Sequence, residues 1–185
     1  MAQQTPVVTM DKPVLTESLP NPLFPVFLKL EQLRLLLVGA GNVGLEKLTA
    51  VLSNAPGTHI NVVALEVSPG FKDFADKYTN VSIQIKAYES TDLDSCDIAI
   101  VATADTTLDD QISMDAKAKS KLINVADKPT LCDFYLGSIV RKGSIKIAIS
   151  TNGKSPTLAK RLKTVIQDGL PSELETSLDN LQKKI

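Results

Sequence analysis

A doubly wound α/β fold built on a parallel sheet is the architecture this sequence predicts, on three observations. Apolar runs alternate with amphipathic ones through residues 34–129. The first run, Leu35-Leu36-Leu37-Val38, has no polar member, as a strand buried on both faces requires. It leads straight into Gly39-Ala40-Gly41-Asn42-Val43-Gly44 and then into a helical pattern. Such alternation implies right-handed crossovers, and so helices on both sides of one sheet.

The elements follow in order. Residues 1–21 hold Pro6, Pro13 and Pro20 among Thr and Gln and read as a flexible leader. Residues 23–30 are apolar, but Pro25 and the preceding Pro22 argue against a central strand, leaving an edge strand or an apolar tether. The helix after the glycines is expected over 43–53, with Val43, Lys47, Ala50, Val51 and Leu52 near helical spacing, stopped by Asn54-Ala55-Pro56-Gly57. Strands are expected at 60–65, 81–85, 97–102 and 122–126. Helices are expected at 71–78 and 107–120. Beyond Pro129 the rhythm changes. Residues 134–141 and 144–150 flank Lys142-Gly143 and read as an antiparallel hairpin. Ser155 is placed to cap a helix that begins at Pro156 and runs to about 168. A last amphipathic helix is expected over 172–184. The chain thus divides into a leader (1–21), a nucleotide-binding domain (22–133), a hairpin and loop (134–156) and a helical C-terminal part (157–185). The hairpin and helices are too small for a core of their own and need the first domain or a partner chain to pack on.

Gly39, Gly41 and Gly44 form the spacing Gly-x-Gly-x-x-Gly between strand and helix, which predicts a Rossmann-type domain. Gly39 permits the tight turn, Gly41 lets a pyrophosphate approach the backbone, and Gly44 lets the helix pack close. The amides near Asn42 and Val43 then face the phosphates. Ligands of such sheets lie past the carboxyl ends of the strands. This draws in Leu65 and Glu66, Thr103 and Ala104, Asn124, and Asp127. Glu66 lies 22 residues after Gly44, with no arginine near it. A carboxylate there accepts from the ribose hydroxyls and repels a 2′-phosphate, which favours NAD over NADP. Two alternatives stay open: a solvated surface Glu66, or Val63 in the usual carboxylate place.

Composition excludes several classes. Aromatics make up 4% and Trp is absent, so base-stacking platforms are not expected. Formal net charge is −1 without a long basic run, which argues against nucleic acid and anionic membrane as partners. No apolar stretch reaches membrane-spanning length, and the N-terminus lacks the pattern of a secretory signal. Cys96 and Cys132 form no CxxC pair and His59 is the sole histidine, so a Cys/His metal site of standard spacing is excluded. A surface position is expected for His59, and a reducing, cytoplasmic location for both thiols.

Four segments then stand in a telling order. They are Asn21-Pro22-Leu23-Phe24-Pro25-Val26-Phe27, residues 35–44, Asn124-Val125-Ala126-Asp127-Lys128-Pro129, and Ser150-Thr151-Asn152-Gly153-Lys154-Ser155-Pro156 followed by Leu158-Ala159-Lys160-Arg161-Leu162. From about residue 22 to 170 the sequence resembles the precorrin-2 dehydrogenase module of siroheme synthases. The resemblance implies oxidation of precorrin-2 to sirohydrochlorin with NAD. In some members it also implies insertion of ferrous iron to give siroheme. It further implies a homodimer joined through the hairpin and loop, and a C-terminal helical part that helps close the substrate cleft. Asp127 matches the family's key catalytic residue, a proton acceptor and an aid to metal insertion. No metal-ligand set is assigned. The match leaves out the methyltransferase module of the longest members, so precorrin-2 is expected from elsewhere.

The residues agree with that chemistry without demanding it. Dehydrogenation removes a hydride and a proton, and the proton needs a base. Asp127 sits where the reactive ring of the cofactor belongs, although an aspartate before a proline also suits a simple turn. For a tetrapyrrole rich in carboxylates, Ser150, Thr151, Asn152, Gly153, Lys154 and Ser155 supply hydrogen-bond donors. Lys128, Lys154, Lys160, Arg161 and Lys163 supply a cationic rim. Turn, capping and solvated-surface roles are the alternatives for each. Two other functions fit the glycine motif alone: an NAD oxidoreductase of a small substrate, or a non-enzymatic NAD-binding regulatory domain.

Overall fold

The computed structural model describes residue 21, residues 23–171 and residue 174. Apart from Asn21 and Leu174, the expected leader and last helix lie outside the described residues.

Five parallel strands form the main sheet: β1 (Arg34–Ala40), β2 (His59–Val67), β3 (Val81–Ile85), β4 (Ile98–Val101) and β5 (Leu122–Val125). Their spatial order is β3-β2-β1-β4-β5, so the winding reverses between β1 and β4. The helices between them are α1 (Asn42–Asn54), α2 (Pro69–Ala75) and α3 (Thr106–Ala118). Period-two geometry explains the unbroken apolar run of β1. Leu35 and Leu37 join Ile60, Val62, Ile98 and Ile100 in one cluster under α1 and α2. Leu36 and Val38 join Val63, Ala99, Val101 and Ile123 in a second cluster under α3. Each Leu, Ile or Val so buried stabilises the fold by roughly 1.5–3 kcal/mol.

Some expectations need correction. The buried face of α1 is Gly44, Leu48, Val51 and Leu52. Val43 and Lys47 lie off that face, because the stripe is set by contact with β1 and not by the first apolar residue. Residues 23–29 form no strand, and Phe24, Val26 and Phe27 are exposed, so the tether is the form adopted. Pro25 has no N–H to give to a ladder. The second helix ends at Ala75, three residues early, with its Ser68 cap and Pro69 in place.

The remaining chain forms an antiparallel hairpin, β6 (Ser138–Lys142) and β7 (Ile145–Ile149), and then α4 (Pro156–Gly169). Ser155 caps α4 through Leu158 N–H, as its position before Pro156 suggests. This unit buries little, notably Val140 and Ala159. It is tied to the nucleotide-binding domain by charge. Arg141 donates to Ser53 O and Lys146 to Asn54 O, both at 2.7 Å. Two cations thereby meet the carbonyls at the C-terminal end of α1, where the helix dipole favours them.

At the opposite edge of β1, Arg34 and Asp97 lock the register of β1 against β4. The Arg34 backbone N–H and Nε donate to Asp97 Oδ2 at 2.9 and 3.2 Å, and a terminal guanidinium nitrogen to Oδ1 at 3.1 Å. These bonds, the side-chain one foremost, hold the Asp97 carboxyl at about 2 against an ordinary 3.8. A carboxylate so lowered contributes stability above its unfolded value, and that contribution disappears as pH falls through the folded one. Asp97→Asn is therefore expected to lower the urea midpoint at pH 7, with the gap to wild type closing between about pH 4 and pH 2.

Candidate functional site

The glycine loop sits at the point where the strand order reverses. Gly39 has φ +102°, and a Cβ there would lie 2.3 Å from Ala102 O, just past the end of β4. A Cβ on Gly44 would lie 2.3 Å from Gly39 O, so α1 rests directly on the turn. Gly41 differs from both: a Cβ would meet nothing within 4 Å. Open space thus lies over the backbone at the start of α1, where Gly41 is the N-cap and offers no side-chain cap. The helices α2, α3 and α4 carry such caps, from Ser68, Asp105 and Ser155. The first-turn amides of α1, at Asn42, Val43 and Gly44, are left for a ligand.

Beside this loop the β1–β2 ladder slips. Val38 pairs with Val63, but Ala40 pairs with Val67. The extra residues of β2 bulge, and Leu65 and Glu66 are both exposed there. Ser68 N–H closes the bulge on Ala40 O at 3.0 Å. Glu66 is thus presented one strand over from the glycines, at the edge where an adenosine ribose belongs. Thr103 and Ala104 follow β4, with the Thr103 amide 3.3 Å from the position of a Gly39 Cβ.

The carboxyl end of β5 turns back on itself. Asp127 is exposed at φ 58°, a left-handed conformation that aspartate tolerates better than most residues. The chain then returns along the outer edge of β5. Asp133 N–H donates to Ile123 O at 2.8 Å, and Asp133 Oδ2 accepts from Ile123 N–H at 3.0 Å. Asn124 Nδ2 donates to Phe134 O at 2.8 Å. Cys132 Sγ accepts from Val125 N–H at 3.2 Å and lies 3.3 Å from Lys128 O. Burial pushes this thiol above its ordinary range, against the opposing bond from Val125. Asp127 therefore sits at the apex of a loop pinned at its base.

A cleft of ≈ 490 Å³ opens between this loop, α1, the hairpin and α4. Of the residues singled out from the sequence, it gathers Asn124, Asp127, Lys128, Ser150, Thr151, Gly153 and Lys160. Asn152, Lys154, Ser155, Arg161 and Lys163 are not part of its wall. The Thr151 hydroxyl bonds the Ser155 backbone in both directions, and Ser150 Oγ accepts from Asn152 N–H. Lys128 points its ammonium at Asp109 Oδ2, 3.1 Å away, and so is not a free rim cation. Sequence reasoning missed Lys47 and Tyr135, which line the cleft. The only signal for Lys47 was its place one helical turn beyond Gly44.

Comparison with known proteins bears on what this arrangement holds. A protein-family model described as putative NAD(P)-binding matches residues 26–138, more than half of the chain. The chain belongs to this family. Its NAD(P)-binding domain is followed by a match to the model described as sirohaem biosynthesis protein central, over residues 142–168. The siroheme synthase of Nitrosococcus oceani is 35% identical over 147 residues, covering 80% of this chain and 31% of that protein. The siroheme synthase of Psychrobacter cryohalolentis is 39% identical over 150 residues, covering 79% and 28%. The chain thus spans about a third of the length of the curated relatives it matches. A solved structure titled SirC, precorrin-2 dehydrogenase, shares the fold with a TM-score of 0.69 and 25% identity, over 87% of this chain and 78% of that one.

The residues fit a dinucleotide. The space over Gly41 admits a pyrophosphate, and the uncapped amides of α1 supply its donors. Gly41 and Gly44 are expected to separate experimentally. Gly41→Ala should fold with an unchanged melting temperature yet bind NAD about tenfold more weakly, a loss of about 1.4 kcal/mol. Gly44→Ala, which drives a methyl into Gly39 O, should destabilise by about 1–3 kcal/mol. Thermal melts and NAD titration check both.

Proposed function

We propose that this chain oxidises precorrin-2 to sirohydrochlorin with NAD, as a step in making siroheme. The observation that carries the reading is the cleft. It sets Asp127, Thr151 and Lys160 around one space at the β5 end of an NAD(P)-binding domain. The likeness to siroheme synthases and to SirC supports the same substrate.

When bound, the nicotinamide supplies the acceptor for the hydride. The chain supplies the rest. Asp127, exposed and held at the apex of its loop, takes the proton that leaves with the hydride. Lys160 meets a substrate carboxylate from one wall of the cleft; Lys47, on the α1 wall, does so by exchanging its exposed partner Glu46, 3.1 Å away, for the substrate. Glu66 accepts from the ribose and selects NAD over NADP. We place the working enzyme in the cytoplasm, whose reducing conditions suit two free cysteines. Among the described residues, no helix is long and apolar enough to cross a membrane. We also propose a homodimer formed through the hairpin and loop, beside which α4 exposes Leu158, Leu162 and Val165.

Anaerobic incubation with precorrin-2 and NAD tests the reading directly, by the absorbance of sirohydrochlorin. Asp127→Asn keeps a residue that tolerates φ 58° and removes only the base. It is expected to bind NAD normally and to lose kcat by about a hundredfold or more. Full activity in that variant would remove the catalytic assignment. Glu66→Ala should raise kcat/KM for NADP relative to NAD by about tenfold. Repeating the assay with sirohydrochlorin and ferrous iron measures metal insertion separately.

A further inference from the structure

The chemistry above leaves one buried carboxylate without a role. Asp109 lies in the first turn of α3, with its side chain 5% exposed. The helix does not need it as a cap, because Asp105 already accepts from Thr107 N–H and Leu108 N–H. Its two oxygens face different loops. Oδ1 accepts a short hydrogen bond from the Thr103 hydroxyl, at the end of β4. Oδ2 pairs with Lys128 Nζ at 3.1 Å, and that ammonium also donates to Thr106 O at 3.3 Å. Thr103 follows directly on Ala102, the residue against which Gly39 packs. Lys128 is the next residue after Asp127.

A buried carboxylate is strongly disfavoured without partners, so both contacts are held firmly. The pairing also explains why a lysine on the rim of a cleft for an anionic substrate turns away from it.

We propose that Asp109 is a positioning residue, which fixes Asp127 relative to the dinucleotide by joining Thr103 of the β4 loop to Lys128 of the β5 loop. The inference rests on Asp127 being the proton acceptor. Cys132 restrains the backbone of that loop from one side, and the Asp109–Lys128 pair restrains its side-chain layer from the other. Without the pair, the base is free to drift from the nicotinamide edge, while the glycine loop that holds the phosphates is untouched.

Two measurements on the full chain test this. Asp109→Asn and Lys128→Met should each lower kcat for precorrin-2 oxidation by about tenfold to a hundredfold, the cost of a misplaced group. KM for NAD should change less than about twofold. Lys128→Arg keeps a cationic donor and should recover most of the loss. The double variant Asp109→Leu/Lys128→Met removes both charges together, and should regain melting temperature without regaining kcat. A kcat that returns along with stability would reduce the pair to a structural one and overturn the proposal, as would wild-type kcat in Lys128→Met. The second measurement needs no turnover: amide hydrogen exchange at Lys128, Leu131 and Cys132, whose N–H groups bond Val125 O, Lys128 O and Pro129 O, should accelerate by about tenfold in Asp109→Asn, with β1 protection unchanged. Unchanged exchange there overturns the linkage whatever the reaction proves to be. A wild-type protein that binds NAD but leaves precorrin-2 unoxidised sinks the proposed function alone.

Discussion

Two missing Cβ atoms set the frame of this molecule. Gly39 lies against Ala102, the residue after the neighbouring strand, and Gly44 lies against Gly39. Either contact would be a 2.3 Å collision for any other residue. Their absence lets α1 start immediately over the sheet, at the place where the strand order reverses. Everything functional is measured from that point. The uncapped amides are the first turn of α1. The bulge bearing Glu66 is one strand to one side, and the loops of Thr103 and Asp127 are one and two strands to the other.

The sheet was legible in the sequence because burial leaves a clear record. A strand covered on both faces cannot contain polar residues, and a helix covered on one face must alternate. The β1 run reads directly by that rule, β3 by the alternation of Val81, Ile83 and Ile85 with Ser82 and Gln84, and α4 by its Ser155-Pro156 start. The face of α1 read less well, because Lys47 stands at helical spacing and its long stem mimics an apolar position. The tether over 23–29 was ambiguous for a similar reason: apolar residues without a periodic partner fix no conformation.

The site was legible in part, and the division has a physical cause. Residues whose role depends on backbone geometry announced themselves, as Gly39, Gly41 and Gly44 did. Side chains whose role depends on neighbours distant in sequence did not. Lys128 looks like any cleft-edge lysine until Asp109, nineteen positions earlier, is seen beneath it. Lys47 and Tyr135 reach the cleft only once the hairpin is folded against α1, by two cations on the terminal carbonyls of that helix. Nothing in the spacing of Arg141 and Lys146 foretells that contact.

The return of the chain along β5 has a consequence for assembly. Asp133, Cys132 and Asn124 occupy hydrogen-bonding groups on the outer flank of that strand or bind the chain across it. That flank offers no backbone for another molecule to extend, which, among the described residues, leaves β3 as the unsealed side of the five-stranded sheet. With one such side, strand-to-strand joining between molecules terminates after one pairing. The loop that carries Asp127 thus doubles as a stopper against polymerisation. Residues at its base are constrained by colloidal behaviour as well as by the cleft they support.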